Sequence, residues 1–398
     1  MKKTVLLLLC FSNGLLACSD NRSGGEEIIS TTQATPVRAV WIPDPSHTSC
    51  MHTYHNLLNL VDLLDELRIN TLFLCSWART QTIYKSQALT SHSTYNTPDE
   101  GYLFKDYLAA YNTPTTSPTG DPVKDLIREA HRKNIKVIFW FEYGFMASNG
   151  VTPASHPLLA ENPGWMSKNA AGNQANYNGT DYYLNAYHPS VQEFMLKLIE
   201  ESIALYPEID GIQGDDRMPA MPRNSGYDDY TVNRYKAEHG GMSPSTDFNN
   251  AEWVGWRLDI LNAFAKAFYV KVKSQKPDAL VCFSPNPYPW CEDNLMQEWP
   301  QWIESGLVDL LSVQCYRNTI EAYQSTLQAA QSYVKAKTLK NLLNPGIILK
   351  NGHTITSPDL LRAQLKANQE IHTNGEAFFF VDGLYDPQVQ EVLKSFYP

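Results

Sequence analysis

Eight short apolar segments, separated by longer amphipathic ones, run along the chain from residue 37 to the C-terminus. The short segments are rich in β-branched and aromatic residues and have the length of buried strands. The predicted strands are VRAVWI (37–42), NTLFLCSW (70–77), IKVIFWFE (135–142), IDGIQGD (209–215), ALVCFSP (279–285), VDLLSVQCY (308–316), NPGIIL (344–349) and EAFFFVD (376–382). Their alternation with helical segments predicts a parallel sheet covered by helices.

The segments between these strands carry apolar residues at three- and four-residue steps, as amphipathic helices do. The predicted helices include YHNLLNLVDLLDELR, DPVKDLIREAHRKN, PSVQEFMLKLIEESIALY, AEWVGWRLDILNAFAKAFYVKVKSQ, PDLLRAQLKANQEI and DPQVQEVLKSF. Eight such units without a dividing linker favour one α/β domain over residues 37–398, a (β/α)8 TIM barrel with enlarged loops at its C-terminal face. A doubly wound open sheet is the second choice, because no glycine-rich phosphate-binding turn follows the first strand.

The first 36 residues have the pattern of an export signal and a stalk. Two lysines precede an apolar run of signal-peptide length, and Leu15-Leu16-Ala17-Cys18 has the form of a bacterial lipobox. We therefore expect residues 1–17 to be a lipoprotein signal peptide and Cys18 to be lipidated, with cleavage of an ordinary signal peptide near Ala17 as the alternative. The polar residues 18–36 predict a flexible stalk. These features predict a membrane-anchored protein of the bacterial cell envelope.

The net charge and the cysteine content limit the kinds of ligand and partner that we expect. The formal net charge of -10 argues against nucleic acid and against electrostatic binding to anionic lipid. Five of the seven cysteines lie beyond residue 18, in spacings that match no zinc pattern, so we expect neither a metal nor a cofactor. Cys282 and Cys291 could form a disulfide after export, which the sequence alone does not establish.

Residues at the predicted strand ends point to chemistry on sugars, because TIM barrels build their sites there. Amides and aromatic rings suit sugar hydroxyls and the apolar faces of sugar rings. The candidate substrate-binding residues are Arg38, Trp41, Trp140, Tyr143, Gln213, Asn286, Gln314 and Tyr316. Long loops rich in Asn, Gly, Tyr and Trp follow the third and fifth strands and support the same interpretation.

Three carboxylates are the candidate catalytic residues. Strand alternation directs Gln213 and Asp215 to the barrel interior, and Glu142 ends the neighbouring strand at the same rim. Such a pair can divide the work of glycoside hydrolysis, with Glu142 as general acid and Asp215 as nucleophile or base. Asp216 either positions the substrate or caps the next turn. Structural alternatives are an ion pair between Glu142 and Arg38 and a divalent cation held by the two aspartates.

The order of several motifs resembles the glycosyl-hydrolase-like 10 family. These motifs are RAVW at 38–41, WFEYGF at 140–145, YLN and HPSVQEF within 183–194, DGIQGDD at 210–216, GLVDLLSVQCY at 306–316 and NPGI at 344–347. The resemblance runs from about residue 36 to the C-terminus. It implies a TIM-barrel glycoside hydrolase with Asp215 and Asp216 at the site, and the family includes envelope lipoproteins that cleave peptide-free peptidoglycan strands. The chain departs from the family at Gly214, where relatives often carry a bulky aromatic residue, and at Arg217-Met218-Pro219.

Two functions are therefore expected from the sequence. The first is an exported, lipid-anchored glycoside hydrolase that acts on a cell-wall glycan or a related polysaccharide. The second is a carbohydrate-binding lipoprotein on a barrel without catalytic activity. Carboxyl groups far apart, or Glu142 held in a buried arginine pair, would favour the second.

Overall fold

The computed structural model describes residues 35–112, 117–150, 156–334 and 341–397. All eight predicted strands are present in one parallel sheet. They are β1 (Val37–Ile42), β2 (Thr71–Cys75), β3 (Lys136–Phe141), β4 (Gly211–Asp215), β5 (Leu280–Ser284), β6 (Leu310–Leu311), β7 (Gly346–Ile348) and β8 (Gly375–Phe379).

The strand order is β6-β5-β4-β3-β2-β1-β8-β7, so each strand pairs with its neighbours in sequence and β1 pairs with β8. The two ends of this ladder meet through a parallel bridge between Leu311 and Leu343. Backbone hydrogen bonds from Asn344 N to Leu311 O and from Gly346 N to Val313 O, both 2.8 Å long, continue this contact. The predicted TIM barrel is confirmed, and the open doubly wound sheet is wrong.

Helices follow the strands and cover the outside of the barrel. They are α1 (Tyr54–Glu66), α2 (Pro122–Arg132), α3 (Pro189–Leu205), α4 (Ala251–Gln275), α5 (Trp299–Glu304), α6 (Ile320–Tyr333), α7 (Pro358–Glu370) and α8 (Pro387–Phe396). Several begin as their sequences predict, with proline in the first turn and an N-cap side chain that accepts a backbone N–H. Asp121 caps α2, Ser357 caps α7 and Asp386 caps α8 in this way.

Short elements fill the loops at the carboxyl ends of the strands, which together we call the mouth. Antiparallel hairpins pair Trp77–Ala78 with Gln81–Thr82, Met146–Asn149 with Asp181–Tyr183, and Lys350–Asn351 with Thr354–Ile355. Short helices cover Gln87–Thr90, Leu108–Tyr111, Pro157–Glu161, Asp229–Glu238 and Trp290–Leu295. These insertions after β2, β3, β4, β5 and β7 are the enlarged loops that the sequence predicts.

Aromatic side chains fill much of the barrel interior. The Trp41 ring lies 5.2 Å from Phe73, 6.3 Å from Trp140 and 6.1 Å from Phe379, measured between ring centroids. Burial of each such ring contributes about 1.5–3 kcal/mol of hydrophobic free energy. The interior below the mouth is thus a packed core.

Some predictions concern residues outside the described ranges. The signal peptide, Cys18 and nearly all of the stalk lie there, so they stay predictions. Within the described part of the chain, we find no helix with the length and hydropathy of a membrane span. Cys282 and Cys291 are both buried free thiols, so the disulfide considered for them does not form in this structure.

Candidate functional site

Asp215 is the last residue of β4, and the chain turns sharply after it. Met218 N donates to Asp215 O at 3.0 Å, which brings the Met218 carbonyl back over Gly214. A Cβ atom at Gly214 would lie 2.5 Å from Met218 O and 3.1 Å from the Phe283 ring. This tight turn leaves no room for a bulky aromatic side chain at this position.

The Asp215 carboxylate receives three donors. Ser284 Oγ and Gln314 Nε2 donate to Oδ1 at 3.1 Å and 3.0 Å, and Arg217 Nη1 donates to Oδ2 at 2.8 Å. Burial and the charge of Asp216 raise the pKa of Asp215 well above its usual range, while Arg217 acts in the opposite direction. β4, β5 and β6 thus each contribute a group at or near the strand end that holds this carboxylate in place.

Asp216 is the more exposed of the two aspartates, with 15% of its side chain accessible against 2% for Asp215. Asn286 Nδ2 donates to its Oδ2 at 2.8 Å. Its Oδ1 lies 3.3 Å from Arg217 Nη1 but has no hydrogen-bond partner among the described residues. Asp216 therefore has a buried acceptor oxygen beside Arg217 that receives no hydrogen bond within the described residues.

Arg217 joins the two candidate catalytic strands. Its Nη1 donates to the backbone carbonyl of Glu142 at 2.8 Å as well as to Asp215. Its guanidinium also lies 5.8 Å from the Tyr143 ring centroid. The sequence marked Arg217 only as a departure from the family pattern, because no local pattern shows which carboxylates a loop arginine reaches.

The Glu142 side chain lies in the same electrostatic group. Burial raises its pKa, and the charge of Arg217 opposes that shift. Glu142 Oε2 is buried without a hydrogen-bond partner within the ranges that the structure describes. A carboxyl group with few donors favours the protonated form, which is the form that a general acid needs.

Arg38 does not reach the mouth, and its assignment as a substrate-binding residue is corrected. It is the second residue of β1, at the opposite end of the barrel, where its guanidinium lies 4.8 Å from the Tyr397 ring centroid. Its charge acts on Glu376, which lies beside it in the β1–β8 register. The proposed ion pair between Arg38 and Glu142 is therefore wrong.

Two of the predicted aromatic residues lie beneath the mouth instead of lining it. Trp41 is 1% exposed and Trp140 is 3% exposed, so neither offers an open face to a sugar ring. Trp41 Nε1 donates to Gln213 Oε1 at 2.8 Å. The buried Trp140 Nε1 and Gln213 Nε2 lack hydrogen-bond partners within the described part of the chain. These residues form the bottom of the site, where two N–H donors are still available for hydrogen bonds.

The other predicted residues gather around the aspartates. Gln314 and Asn286 bind Asp215 and Asp216 directly. The charges of both aspartates act on the Tyr316 hydroxyl, whose pKa burial raises well above its usual range. Tyr143 lies between two guanidinium groups, 6.0 Å from that of Arg79 and 5.8 Å from that of Arg217.

A second polar cluster borders Glu142 and was not assigned to the site from the sequence. Asp44 Oδ1 accepts from Arg79 Nη2 and Ser46 Oγ, both at 2.7 Å, and its Oδ2 lies 2.9 Å from His47 Nδ1. Burial opposes ionisation of Asp44, but these hydrogen bonds and the charge of Arg79 hold its pKa well below the usual range. Asp44 and Arg79 follow β1 and β2, so the strand-end pattern includes them, although no sequence pattern indicated a role for them in the site.

Gln297 was also missed. Its side chain is fully buried, and its Nε2 donates to the backbone carbonyl of Asp215 at 3.0 Å. It lies in the long loop after β5 and fixes the end of β4 from outside the barrel. Its distance in sequence from Asp215 hides this contact.

The arrangement can bind a neutral, hydroxyl-rich ligand and transfer protons to it. Glu142 and Asp215, whose carboxyl groups both have raised pKa values, lie at the ends of adjacent strands, and Arg217 Nη1 donates to the Glu142 backbone carbonyl and to the Asp215 carboxylate. Four buried polar atoms of the site have no hydrogen-bond partner among the described residues. They are Glu142 Oε2, Asp216 Oδ1, Trp140 Nε1 and Gln213 Nε2. Buried polar atoms of this kind cost free energy unless a ligand or water meets them.

Solved structures with the same fold include carbohydrate-active enzymes. The glycoside hydrolase domain of PgaB (BpsB) from Bordetella bronchiseptica has a TM-score of 0.62 at 15% identity and covers 90% of this chain and 98% of that domain. The catalytic domain of a β-amylase from Paenibacillus polymyxa has a TM-score of 0.59 at 10% identity, covering 91% of this chain and 97% of that one. At these identities the likeness shows the fold alone.

Sequence relatives carry the name glycosyl hydrolase. YngK of Bacillus subtilis (strain 168) is 24% identical over 313 residues, which are 70% of this chain and 54% of that protein. DigH of Escherichia coli (strain K12) is 23% identical over 315 residues, which are 72% of this chain and 63% of that protein. The chain thus matches somewhat more than half the length of these relatives. The model of the glycosyl hydrolase-like 10 family matches residues 36–349, and the chain belongs to that family.

Proposed function

We propose that this protein is a glycoside hydrolase that cleaves O-glycosidic bonds by carboxylate acid and base chemistry. One observation carries the proposal: Glu142 directly follows β3, Asp215 ends the neighbouring β4, and Arg217 Nη1 donates to the Glu142 backbone carbonyl and to the Asp215 carboxylate, both at 2.8 Å. Glycoside hydrolysis generally uses two carboxyl groups, and in this proposal Glu142 and Asp215 supply them. Membership of the glycosyl hydrolase-like 10 family supports the same reaction class.

The surroundings of the carboxyl groups suggest how they share the reaction. The Glu142 carboxyl, raised in pKa and poor in donors, protonates the leaving oxygen as general acid. Asp215 acts as nucleophile or base, because its three donors stabilise a negative charge there and Arg217 opposes the rise in its pKa that burial causes. Asp216 positions a sugar hydroxyl with its Oδ1, which lies beside Arg217 and receives no hydrogen bond within the described residues. Gln213, Asn286, Gln314, Tyr143 and Tyr316 complete the proposed binding site.

The alternative, a carbohydrate-binding protein without catalytic activity, predicted a Glu142 carboxylate locked by arginine. Arg217 binds the Glu142 backbone carbonyl and the Asp215 side chain instead. Within the described ranges, no arginine or lysine nitrogen lies within salt-bridge distance of the Glu142 carboxylate. These contacts favour the enzyme over the binding protein.

The proposed substrate is a glycan of the bacterial cell wall, with peptide-free peptidoglycan strands first and related polysaccharides second. The motifs shared with the family support this choice, and so does the lipobox at Cys18, which would hold the protein in the envelope. Neither the charge of the chain nor its described surface suggests a nucleic-acid partner.

Product analysis tests the proposal. The chain without residues 1–17 is incubated with peptide-free peptidoglycan strands and with a panel of plant and host polysaccharides, and the products are identified by mass spectrometry. Release of saccharides by the parent, and no release by Asp215→Asn, supports a glycoside hydrolase. Binding without release supports the alternative, and neither binding nor release on any glycan contradicts both.

The lipid anchor is tested separately. Expression of the whole chain in a bacterium fed with a radiolabelled fatty acid should label the protein in the membrane fraction. Cys18→Ser should abolish labelling, whereas Cys10→Ser, in the apolar core of the signal, should retain it. Equal labelling of both variants would show that Cys18 is not the acylated residue.

A further inference from the structure

Two exposed aromatic rings extend the site away from the aspartates. Tyr177 and Trp290 are 42% and 40% exposed, and their ring centroids lie 5.7 Å apart in an edge-to-face contact. They come from different loops, after β3 and β5. Large rings exposed together on a surface mark a binding site more often than isolated ones do.

A cavity of about 240 Å³ lies beside this pair and is lined by Asn286, Pro287, Trp290 and Arg317. We call these four residues the aromatic cleft. Asn286 connects it to the proposed catalytic centre, because the same side chain donates to Asp216 Oδ2 at 2.8 Å. The charge of Asp216 also acts on the Tyr177 hydroxyl, which places the aromatic pair within electrostatic reach of the aspartates.

Arg317 gives the aromatic cleft a positive charge. Its Nη1 donates to the backbone carbonyl of Tyr316 at 2.8 Å. Among residues 35–112, 117–150, 156–334 and 341–397, no carboxylate oxygen lies within 4 Å of its guanidinium. Most other arginines near the mouth are paired, as Arg79 is with Asp44 and Arg217 with Asp215. A half-buried guanidinium without a carboxylate partner has bidentate donors available for an anionic ligand.

The neighbouring cavity repeats this composition. It measures about 290 Å³, and its lining includes Tyr177, Arg223, Asn224 and Phe248 together with the carboxylate-bearing Asp293. Arg223 donates to Asn249 Oδ1 at 3.2 Å and likewise has no carboxylate within 4 Å in the described part of the chain. Asn224 Oδ1 is buried there without a hydrogen-bond partner among the described residues. An aromatic face, amides and an unpaired guanidinium thus occur on both sides of the Tyr177–Trp290 contact.

We propose that the aromatic cleft is a glycan subsite for a carboxylate-bearing sugar, in which Trp290 stacks on the ring and Arg317 pairs with the carboxylate. This inference rests on the proposed function for its substrate class. The chain is acidic overall, so long-range attraction does not draw a polyanion to it, and recognition must come from the local guanidinium. The carboxylate could be the ether-linked lactyl group of a peptide-free cell-wall strand or the carboxyl of a uronic acid.

Binding measurements in an Asp215→Asn background test the subsite without requiring turnover. Isothermal titration compares peptide-free strands with the same strands after chemical reduction of their carboxyl groups, and polygalacturonate provides the uronic acid arm. We expect Arg317→Gln to weaken binding of the native glycan about tenfold or more and to leave binding of the reduced glycan unchanged. Arg68→Gln, which removes an exposed arginine at the opposite end of the barrel, should change neither.

Arg317→Lys provides a second variant, which keeps the charge but loses the planar pair of donors. Its affinity for the native glycan should lie between those of the parent and Arg317→Gln. Equal weakening on native and reduced glycans would overturn the proposal. So would equal binding of the two glycans by the parent, or no binding of either the cell-wall strands or polygalacturonate. Because the experiment measures binding and not turnover, it can support or overturn the subsite even if the protein proves not to hydrolyse glycans.

Discussion

Arg217 and Asp215, two residues apart in sequence, form an ion pair of 2.8 Å at the end of β4. The guanidinium is 26% exposed and the carboxylate 2%, so the pair is largely withdrawn from water. The same Nη1 holds the backbone of Glu142 on the neighbouring strand. This one contact sets both the charge of the candidate nucleophile and its position relative to the candidate acid.

Arg217→Met should therefore leave Asp215 and Asp216 without their cation. We expect the variant to unfold more easily by about 3 kcal/mol near neutral pH, because a buried carboxylate loses its partner. The pKa of Asp215 should rise further, so the acidic limb of the pH–activity profile should move to higher pH. Denaturant unfolding and pH profiles measure these effects. Arg68→Met is the control, and an unchanged acidic limb in Arg217→Met would contradict this account of Asp215.

The variants Asp215→Asn and Asp216→Asn distinguish the roles of the two aspartates. We expect Asp215→Asn to lower kcat by at least about 10²-fold while the far-ultraviolet circular dichroism stays that of the parent, because the reaction loses its nucleophile or base. Asp216→Asn should mainly raise KM, because the Asp216 carboxylate positions the sugar. Asp278→Asn, an exposed aspartate at the other end of the barrel, should change neither constant. The reverse pattern, with kcat lost only in Asp216→Asn, would assign the reacting carboxylate to Asp216.

Glu142→Gln tests the general acid through the leaving group. The variant should lose about 10²- to 10⁴-fold in kcat on a natural glycan, where the departing oxygen needs a proton. On an aryl glycoside with an acidic phenol, which departs unprotonated, the loss should be much smaller. Steady-state rates on both substrates measure the difference. Equal losses on the two substrates would mean that Glu142 does not donate the proton.

Glu142→Gln should also change stability with pH. Burial raises the pKa of Glu142 in the folded state, so the stability it contributes is complete below the pKa of an unfolded glutamate and is lost as pH rises through the raised value. Glutamine removes that loss. The variant should therefore have a higher Tm than the parent at pH 8 and the same Tm at pH 4. The gain in the free energy of unfolding at pH 8 should be roughly 1.4 kcal/mol for each unit of the pKa shift. Glu304→Gln, at an exposed position of α5, should show no such dependence, and a Tm gain at pH 4 would contradict the explanation.

Arg38→Met tests the corrected position of Arg38. Loss of its contacts with Tyr397 and Glu376 should lower the free energy of unfolding by about 1–2 kcal/mol. Because Arg38 lies at the end of the barrel away from the mouth, kcat and KM should stay those of the parent. A rise in KM without a loss of stability would return Arg38 to the substrate-binding site.

The periodicity of the sequence determined the fold, because apolar strands that alternate with amphipathic helices have one compact solution when eight units follow each other. It also placed Asp215, Asp216, Gln213, Asn286, Gln314 and Tyr316 at one face, since the carboxyl ends of parallel strands share an edge. Strand alternation further showed which side chains point inward.

The separation of two residues in sequence does not predict whether their loops touch. Only the tertiary structure shows the contacts between loops. Only the closed barrel shows that Arg217 reaches across to the Glu142 backbone, that Gln297 supports Asp215 and that Arg317 lies beside Trp290 with no carboxylate partner in the part of the chain that the structure describes. It also shows that Trp41 is too deeply buried to meet a sugar and that Arg38 belongs to the opposite end. The physical reason is that a periodic pattern shows which face of a helix or strand is buried. Charge pairing in the site depends on the conformations of loops, which have no periodic pattern.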